Sequence, residues 1–167
     1  MLTTRVMFEL SAELTAELDL ASGSVPLRYP RQYIWGSGTG ANSADKVFHD
    51  KRTLAASATE DLDLAGSLLD GFGQAITFAR VRGLIVYAAP GNTNAVQVGG
   101  AAATQFTGWV ADATDKVNVR PGGLLALLAP DATAYPVGAG ASDLLRFGNG
   151  GGGTPVTYDV VIIGASA

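Results

Sequence analysis

Apolar and polar residues alternate through the first part of the chain. From Phe8 to Leu20 every even position is apolar or alanine, and every odd position is polar or acidic. A period of two over this length predicts a half-buried strand or an extended arm. The same residues recur every four positions, so a helix aligning Leu10, Leu14 and Leu18 is the alternative. The strand is favoured because a helix would stack glutamates four residues apart, costing about 0.2–0.5 kcal/mol per pair.

The densest apolar run lies between residues 60 and 89 and predicts the core of the sheets. Leu62 and Leu64 alternate with acidic residues, which is typical of a strand with one solvent-exposed face. Residues 83–89 (GLIVYAA) are apolar on both faces and predict a central strand that is covered on both sides. Residues 76–81 predict either a continuation of this strand or one helical turn across the end of a sandwich.

Glycine and proline divide the segments on either side of this core. Residues 21–30 (ASGSVPLRYP) contain turn residues and two prolines and predict a connection, and residues 31–35 predict a short strand. The loop GSGTGAN at 36–42 superficially resembles a phosphate-binding loop. It lacks the GK[ST] ending and a following amphipathic helix, so a surface loop is the expectation.

The second half of the chain predicts further short strands. Residues 124–128 (LLALL) are apolar on both faces and predict a buried strand. Residues 148–153 (GNGGGG) predict a mobile hairpin tip. Residues 156–164 (VTYDVVIIG) predict a last strand that enters the middle of a sheet. The remaining predicted strands cover residues 94–99, 117–119 and 143–147.

This pattern predicts an all-β fold. Eight to ten short strands without a long helix indicate an antiparallel two-sheet sandwich of jelly-roll type with an extended N-terminal strand or arm. An immunoglobulin-like sandwich is the second choice. We expect residues 1–30 to form the arm, or edge strand, and its connection, and residues 31–167 to form the sandwich, within one compact domain.

Composition narrows the classes of function. The 167 residues include no cysteine, which excludes disulfides, thiolate metal sites and a cysteine nucleophile. The net charge is −4 with 11 scattered basic residues, so nucleic-acid binding is not expected. No apolar run is long enough for a membrane span, and no signal peptide is recognisable. The positive mean hydropathy suggests that partner subunits cover some apolar surface.

Carboxylates are the best candidates for a chemical site. Glu60, Asp61 and Asp63 lie close in sequence, as do Asp112 and Asp115, and such spacing can hold calcium when backbone carbonyls complete the shell. Neither group matches a dense ligand loop, so exposed strand faces and turn caps are the expectation. No metal or other cofactor is therefore predicted.

Enzymatic machinery is not recognisable. His49 beside Asp50 suggests acid–base chemistry, but sequence neighbours point apart in a strand, and this is the only histidine. There is no GxSxG elbow for serine hydrolysis, and two carboxylates for a glycosidase cannot be placed across a cleft. We expect a protein that is not an enzyme.

Aromatic residues offer one further kind of site. Tyr29, Tyr33 and Trp35, and later Phe106 and Trp109, would form a sugar-stacking platform if they were exposed. Packing in the core or at a subunit interface is the expectation, because most such residues are buried.

Four stretches of the chain carry a resemblance to a known family. They are WGSGTGANSADKVFHDKRTLAAS, EDLDLAGSLLDGFGQAITFARVRGLIVYAA, VRPGGLLALLAPDATAY and TYDVVIIGASA. With these stretches, the chain from Trp35 to its C-terminus resembles small virion structural proteins of tailed bacteriophages.

The resemblance implies a role in the particle. The implied protein is a capsid decoration (cement) protein on the outer capsid surface, made in the host cytoplasm and bound to the major capsid protein. A tail or fibre component that binds host carbohydrate is the alternative. A homotrimer would match a shell with local threefold axes, and no nucleic acid, membrane or catalytic residue is implied.

The alternating N-terminal segment is the candidate binding element. We expect it to pair as an arm with a neighbouring subunit or with the shell, because edge strands present unsatisfied backbone groups. The candidate partner-binding residues are Phe8, Leu10, Leu14, Leu18 and Leu20.

Overall fold

The computed structural model describes residues 1–100 and 103–167, and this part of the chain consists of β-strands and their connections without a helix. The strands in chain order are β1 Thr4–Glu17, β2 Ser22–Ser37, β3 Ser43–Ala44, β4 Lys46–Leu54, β5 Thr59–Asp63, β6 Leu68–Leu69, β7 Ala75–Ile76, β8 Arg80–Ala88, β9 Val96–Gly99, β10 Lys116–Val119, β11 Leu124–Leu128, β12 Tyr135–Pro136, β13 Leu144–Asn149 and β14 Val156–Ala165. The all-β prediction is confirmed, and the helical alternative for residues 8–20 is wrong.

Two four-stranded antiparallel sheets form the body of the molecule. Sheet 1 has the order β10-β9-β13-β5, and sheet 2 has the order β11-β8-β14-β4, with β12 beside the start of β8. Most connections between successive strands of the body pass from one sheet to the other, the hairpin β9–β10 excepted, and β14 returns to lie between β4 and β8. This order is that of a jelly roll, so the predicted fold is confirmed and the immunoglobulin-like alternative is not.

The core lies between the inner faces of the two sheets. Leu62 and Leu64 are buried, as their alternation predicts. The rings of Phe147 in sheet 1 and Tyr158 in sheet 2 stack with centroids 4.6 Å apart. Aromatic packing of this kind joins the sheets across the core.

Strand β14 lies in the centre of sheet 2. It pairs with β4 on one side and β8 on the other. Val156, Tyr158, Val160 and Ile162 point inward and are almost fully buried. The predicted central position of the last strand is confirmed.

Two predictions about buried strands need correction. In β8, Leu84 and Val86 fill the core, but Tyr87 on the outer face is 37% exposed, so this strand is not fully covered on both sides. Strand β11 is the edge of sheet 2, and Leu124 is 60% exposed. Its run of leucines is apolar on both faces, although on the outer face only Leu128 packs against the base of the hairpin and Leu124 stays exposed. Residues 76–81 make no helical turn, since β7 ends at Ile76 and β8 begins at Arg80.

The glycine-rich segment 148–153 is partly strand. Gly148 and Asn149 belong to β13 and are buried, so the prediction of a mobile tip is wrong for these two residues. The Asn149 side-chain amide donates to the carbonyls of Ala55 (3.0 Å) and Thr154 (2.8 Å), and thereby holds the following loop against the sandwich.

A long hairpin precedes the sandwich. Strands β1 and β2 pair antiparallel from Thr4↔Trp35 to Glu17↔Ser22, and the turn closes with a hydrogen bond from Leu18 N to Ala21 O (2.9 Å). The predicted connection at 21–30 is wrong, because β2 runs through it, and the predicted boundary after residue 30 falls inside this strand. Pro26 and Pro30 are tolerated because β2 has a free edge along this length.

Candidate interaction surface

The two faces of the hairpin differ sharply in chemistry. Residues paired across an antiparallel ladder point to the same face. Even-numbered residues of β1 and odd-numbered residues of β2 therefore share one face, and this face is apolar over most of its length. We call it the apolar strip, and it consists of Val6, Phe8, Leu10, Ala12, Leu14, Val25, Leu27, Tyr29 and Tyr33.

Beyond the exposed Met7 and Ile34 near its base, the opposite face of the hairpin is mostly polar. It carries Glu9, Glu13 and Glu17 from β1 and Arg28 from β2, with serines and threonine between them. Ser24 donates a hydrogen bond to the Glu13 carboxylate across the strands. The hairpin is thus amphipathic, which is typical of antiparallel strands that pack one face against protein and expose the other to solvent.

The base of the hairpin is packed onto sheet 2. The Trp35 side chain is fully buried, and a Cβ placed on Gly83 would lie 3.6 Å from Trp35 Cη2. The indole therefore packs over Gly83, the one glycine of β8, where no side chain separates the ring from the strand. Ala44 and Ile163 complete this second cluster, with Val6 and Tyr33 against it.

A buried arginine fixes the loop that leads out of the hairpin. Arg82 is fully buried and donates to the backbone carbonyls of Gly40 (2.7 Å), Ser43 (3.1 Å) and Asp131. These bonds hold the loop to the body. The predicted loop at 36–42 is confirmed for residues 38–42, whereas Gly36 and Ser37 belong to β2. Since the loop presents carbonyl acceptors to a guanidinium, it is not arranged to hold a phosphate with backbone N–H groups.

Beyond its base the apolar strip is exposed. The hairpin extends about 30 Å past Phe8 at the rise of an antiparallel strand. Leu14 is 73% and Val25 is 68% exposed, and no other element of the described chain covers them. Such a surface is unusual for a monomer in water and marks a site of interaction.

The five candidate arm residues fall into two groups. Phe8, Leu10 and Leu14 lie on the apolar strip, as the alternation predicts. Leu18 and Leu20 lie in the turn at the tip, because β1 ends at Glu17. Leu20 is fully exposed there.

Sequence reasoning missed the half of the strip that β2 supplies. Val25, Leu27 and Tyr29 continue the same face, directly opposite β1 residues. They alternate with period two, which is a usable strand signal. Pro26 and Pro30 in the same segment indicate a connection when the sequence is considered alone.

An open cleft lies where the hairpin leaves the body. It has a volume of about 540 Å³. One wall is formed by the hairpin, including Phe8 and Tyr29, and the other by the outer face of sheet 2, including Ile85, Leu124 and Ala126. Both walls of the cleft are mostly apolar, and Arg31 and the tyrosines Tyr29, Tyr33 and Tyr135 are its polar lining residues.

The first acidic group is used in structural contacts. Glu60 accepts hydrogen bonds from Arg52 Nε (2.8 Å) and from the Tyr158 hydroxyl (2.6 Å). Burial, together with the Glu60 carboxylate, raises the pKa of Tyr158 above its ordinary value. Asp61 accepts two hydrogen bonds from the Arg146 guanidinium (2.8 and 2.9 Å).

The remaining acidic candidates cap turns. Asp63 accepts a hydrogen bond from Ala65 N (2.9 Å), and Asp115 accepts one from Asp112 N (2.8 Å). Hydrogen bonds from Thr114 lower the pKa of Asp112. Within residues 1–100 and 103–167 no three His, Cys, Asp or Glu side chains are placed to hold a metal ion. The interpretation as turn caps or exposed strand residues fits Asp61, Asp63, Asp112 and Asp115, but Glu60 is half-buried and bonded to the buried Tyr158.

His49 is exposed on the outer face of β4. The neighbouring Asp50 instead engages Arg52 Nη1 (2.6 Å). The structure therefore does not bring these two residues together as an acid–base pair.

The candidate aromatic platform is divided by the fold. Trp35 and Phe106 are buried, as the packing interpretation predicts. Tyr29 remains 43% exposed on the strip, with the Arg31 guanidinium 3.9 Å above its ring. These residues do not form one exposed stacking surface.

Comparison of the chain with protein-family models, with curated proteins and with solved structures finds no match. Within the described residues, no helix is long and apolar enough to cross a membrane.

Proposed function

We propose that this protein is a non-enzymatic structural component of a tailed-bacteriophage virion, and that it decorates and stabilises the capsid shell by docking through its hairpin. The observation that carries this proposal is the exposed apolar strip. Strip residues such as Leu14 and Val25 are largely exposed, while the opposite face of the same hairpin is mostly polar. A surface of this kind is explained by a protein partner that covers it.

The way the hairpin is attached supports the proposal. Trp35 packs over Gly83, and Arg82 bonds the adjoining loop to the body. A hairpin fixed at its base presents its strip in a defined direction, which lowers the conformational entropy lost on docking. The eight-stranded body supplies a stable base for this element.

The identity of the particle rests on the resemblance of residues 35–167 to phage virion proteins. The proposed partners are the major capsid protein and further copies of the same chain, assembled as a homotrimer on local threefold axes. The proposed location is the outer capsid surface, after synthesis in the host cytoplasm. No nucleic acid, membrane or cofactor has a part in this role.

The tail or fibre alternative has weaker support. A carbohydrate site would use exposed aromatic rings, but Trp35 is fully buried and Tyr29 is already stacked with Arg31. A host polysaccharide that shifts the tryptophan fluorescence of the protein would favour this alternative.

A pair of neighbouring substitutions tests the role of the strip. Leu14→Arg places a charge on the apolar face, whereas Thr15→Arg places the same charge on the polar face one residue away. We expect Leu14→Arg to reduce occupancy on capsids at least tenfold and Thr15→Arg to leave it almost unchanged. Occupancy is measured by adding purified protein to particles that lack it and quantifying the bound chain.

The stability of both variants serves as the control. Both side chains are exposed, so we expect melting temperatures close to that of the unmodified protein. Equal occupancy of the two variants, with both folded, would show that the strip is not the docking surface.

A further inference from the structure

The molecule has a second exposed apolar surface besides the strip. It lies on the outer face of sheet 2, in the rows next to the base of the hairpin, where Ile85, Leu124 and Ala126 form one wall of the open cleft. The cross-strand register aligns Ala126 with Ile85 and Val161, and Leu124 with Tyr87. We call this surface the outer patch, and it consists of the exposed Tyr87, Leu124 and Ala126 and the half-buried Ile85 and Val161.

The chain already makes a contact between these two kinds of surface. At the base of the hairpin, Trp35 and Val6 of its apolar face pack with Ile163 and Leu128 of the outer face of sheet 2. The next row of the sheet belongs to the outer patch, and the next residues of the hairpin extend past the body. The patch therefore continues an existing contact along one wall of the open cleft, and the strip residues beyond the cleft, such as Leu14 and Val25, have no counterpart in the described chain.

The free parts of the two surfaces are similar in size. The distal strip, defined as Leu10, Ala12, Leu14, Val25, Leu27 and Tyr29, is about 14 Å long at the rise of a strand. The outer patch covers three neighbouring strands, whose outer backbones are about 10 Å apart. Apolar side chains of two β-layers pack well at such dimensions.

Charge complementarity identifies the occupant. In the fully described hairpin, Arg31 is the one charged side chain on the apolar face, and it has no carboxylate partner. Asp159 lies beside Tyr87 on the outer face of sheet 2 and is exposed. In the part of the chain that the structure describes, its carboxylate has no ion-pair partner, although Lys51 lies opposite it in the ladder.

We infer that the distal strip of one copy covers the outer patch of a second copy, with Arg31 of the first facing Asp159 of the second. This inference rests on the proposed function, since it names the partner of the same hairpin. The two surfaces differ from each other, so the contact is head to tail, and a chain of such contacts closes into a ring when the rotation allows it. A ring would bury the apolar surface of every hairpin.

Charge reversal in solution tests this contact without any particle. Arg31→Asp and Asp159→Arg each place like charges together, and the double variant restores opposite charges. We expect each single variant to weaken self-association by about ten- to a hundredfold, and the double variant to recover most of it. Self-association is measured by sedimentation equilibrium over a wide range of protein concentrations.

Arg28→Asp is the matched control. It makes the same charge change in the same strand but on the polar face. We expect it to leave self-association nearly unchanged, and thermal unfolding of every variant checks that the fold is retained. A variant of the strip alone, Leu27→Arg, should also dissociate the protein.

Several outcomes would overturn the inference. They are a monomeric unmodified protein at all concentrations, an equal effect of Arg28→Asp, and a double variant that does not recover. If these occur while Leu14→Arg still abolishes capsid occupancy, the proposed function stands and the strip contacts the shell instead. If self-association follows the prediction while capsid occupancy does not depend on the strip, the proposed function fails and the contact between copies remains.

Discussion

At the scale of single residues, the position of the hairpin depends on a large side chain, that of Trp35, packed over a glycine, Gly83. Trp35 is fully buried at the end of β2, and Gly83 in the centre of sheet 2 leaves room for its ring. The sequence contains both residues but does not show that they are in contact. They belong to different sheets, and strands β3 to β7 lie between them along the chain. Their contact emerges only from the complete fold.

Trp35→Ala should therefore release the base of the hairpin and destabilise the protein. We expect a loss of about 3–5 kcal/mol in the free energy of unfolding, since the substitution leaves a large cavity over Gly83. Chemical denaturation followed by far-ultraviolet circular dichroism measures this loss. Ile34→Ala is the control, because Ile34 is 51% exposed and should cost much less. Equal costs for the two substitutions would contradict the account of the base.

At the scale of elements, the sequence predicted which segments are strands better than it predicted which strands pair with each other. The alternation of residues 8–20 predicted β1, and the apolar run at 156–164 predicted β14 in the centre of a sheet. The partner of β1 was missed because Pro26 and Pro30 usually interrupt a ladder. A free strand edge tolerates proline, and this edge is decided by tertiary structure.

Two strands that are apolar on both faces show a second limit of the same kind. Residues 83–89 and 124–128 are both apolar on both faces, which normally indicates burial on both sides. In the structure, Tyr87 and Leu124 point outward and are exposed. An apolar residue on an exposed outer face cannot be told from a core residue by the sequence pattern alone.

Removal of residues 160–167 should abolish folding. It deletes most of the part of β14 that joins β8 to β4, including the buried Val160 and Ile162, and so divides sheet 2. We expect no cooperative thermal transition and insoluble expression, measured by differential scanning calorimetry and by the soluble fraction. A truncated protein that retains the melting temperature of the full chain would contradict the central role of β14.

At the scale of the whole molecule, the structure combines a closed body with an open element. The sandwich buries its own core, whereas the hairpin and the outer patch expose apolar faces that a single chain does not cover. The sequence predicted the sandwich and the arm because both depend on local alternation. It did not predict the outer patch, because that surface depends on which face of sheet 2 the hairpin leaves uncovered.

The direction of side chains along a strand also explains why the acidic residues of the described chain do not form a metal site. Acidic residues that are close in sequence, such as Glu60 and Asp61, point to opposite faces of β5 and engage different arginines. Spacing along a strand therefore separated the groups that a calcium site would need to bring together. The exposed apolar surfaces are the features on which the proposed function rests.

The most direct test of the proposed function is a cryo-electron-microscopy reconstruction of the virion that carries this chain. The account predicts density for the jelly-roll body arrayed over the icosahedral shell, with every hairpin strip covered by a neighbouring protein. Density confined to the tail, or hairpins that extend into solvent without a contact, would contradict it.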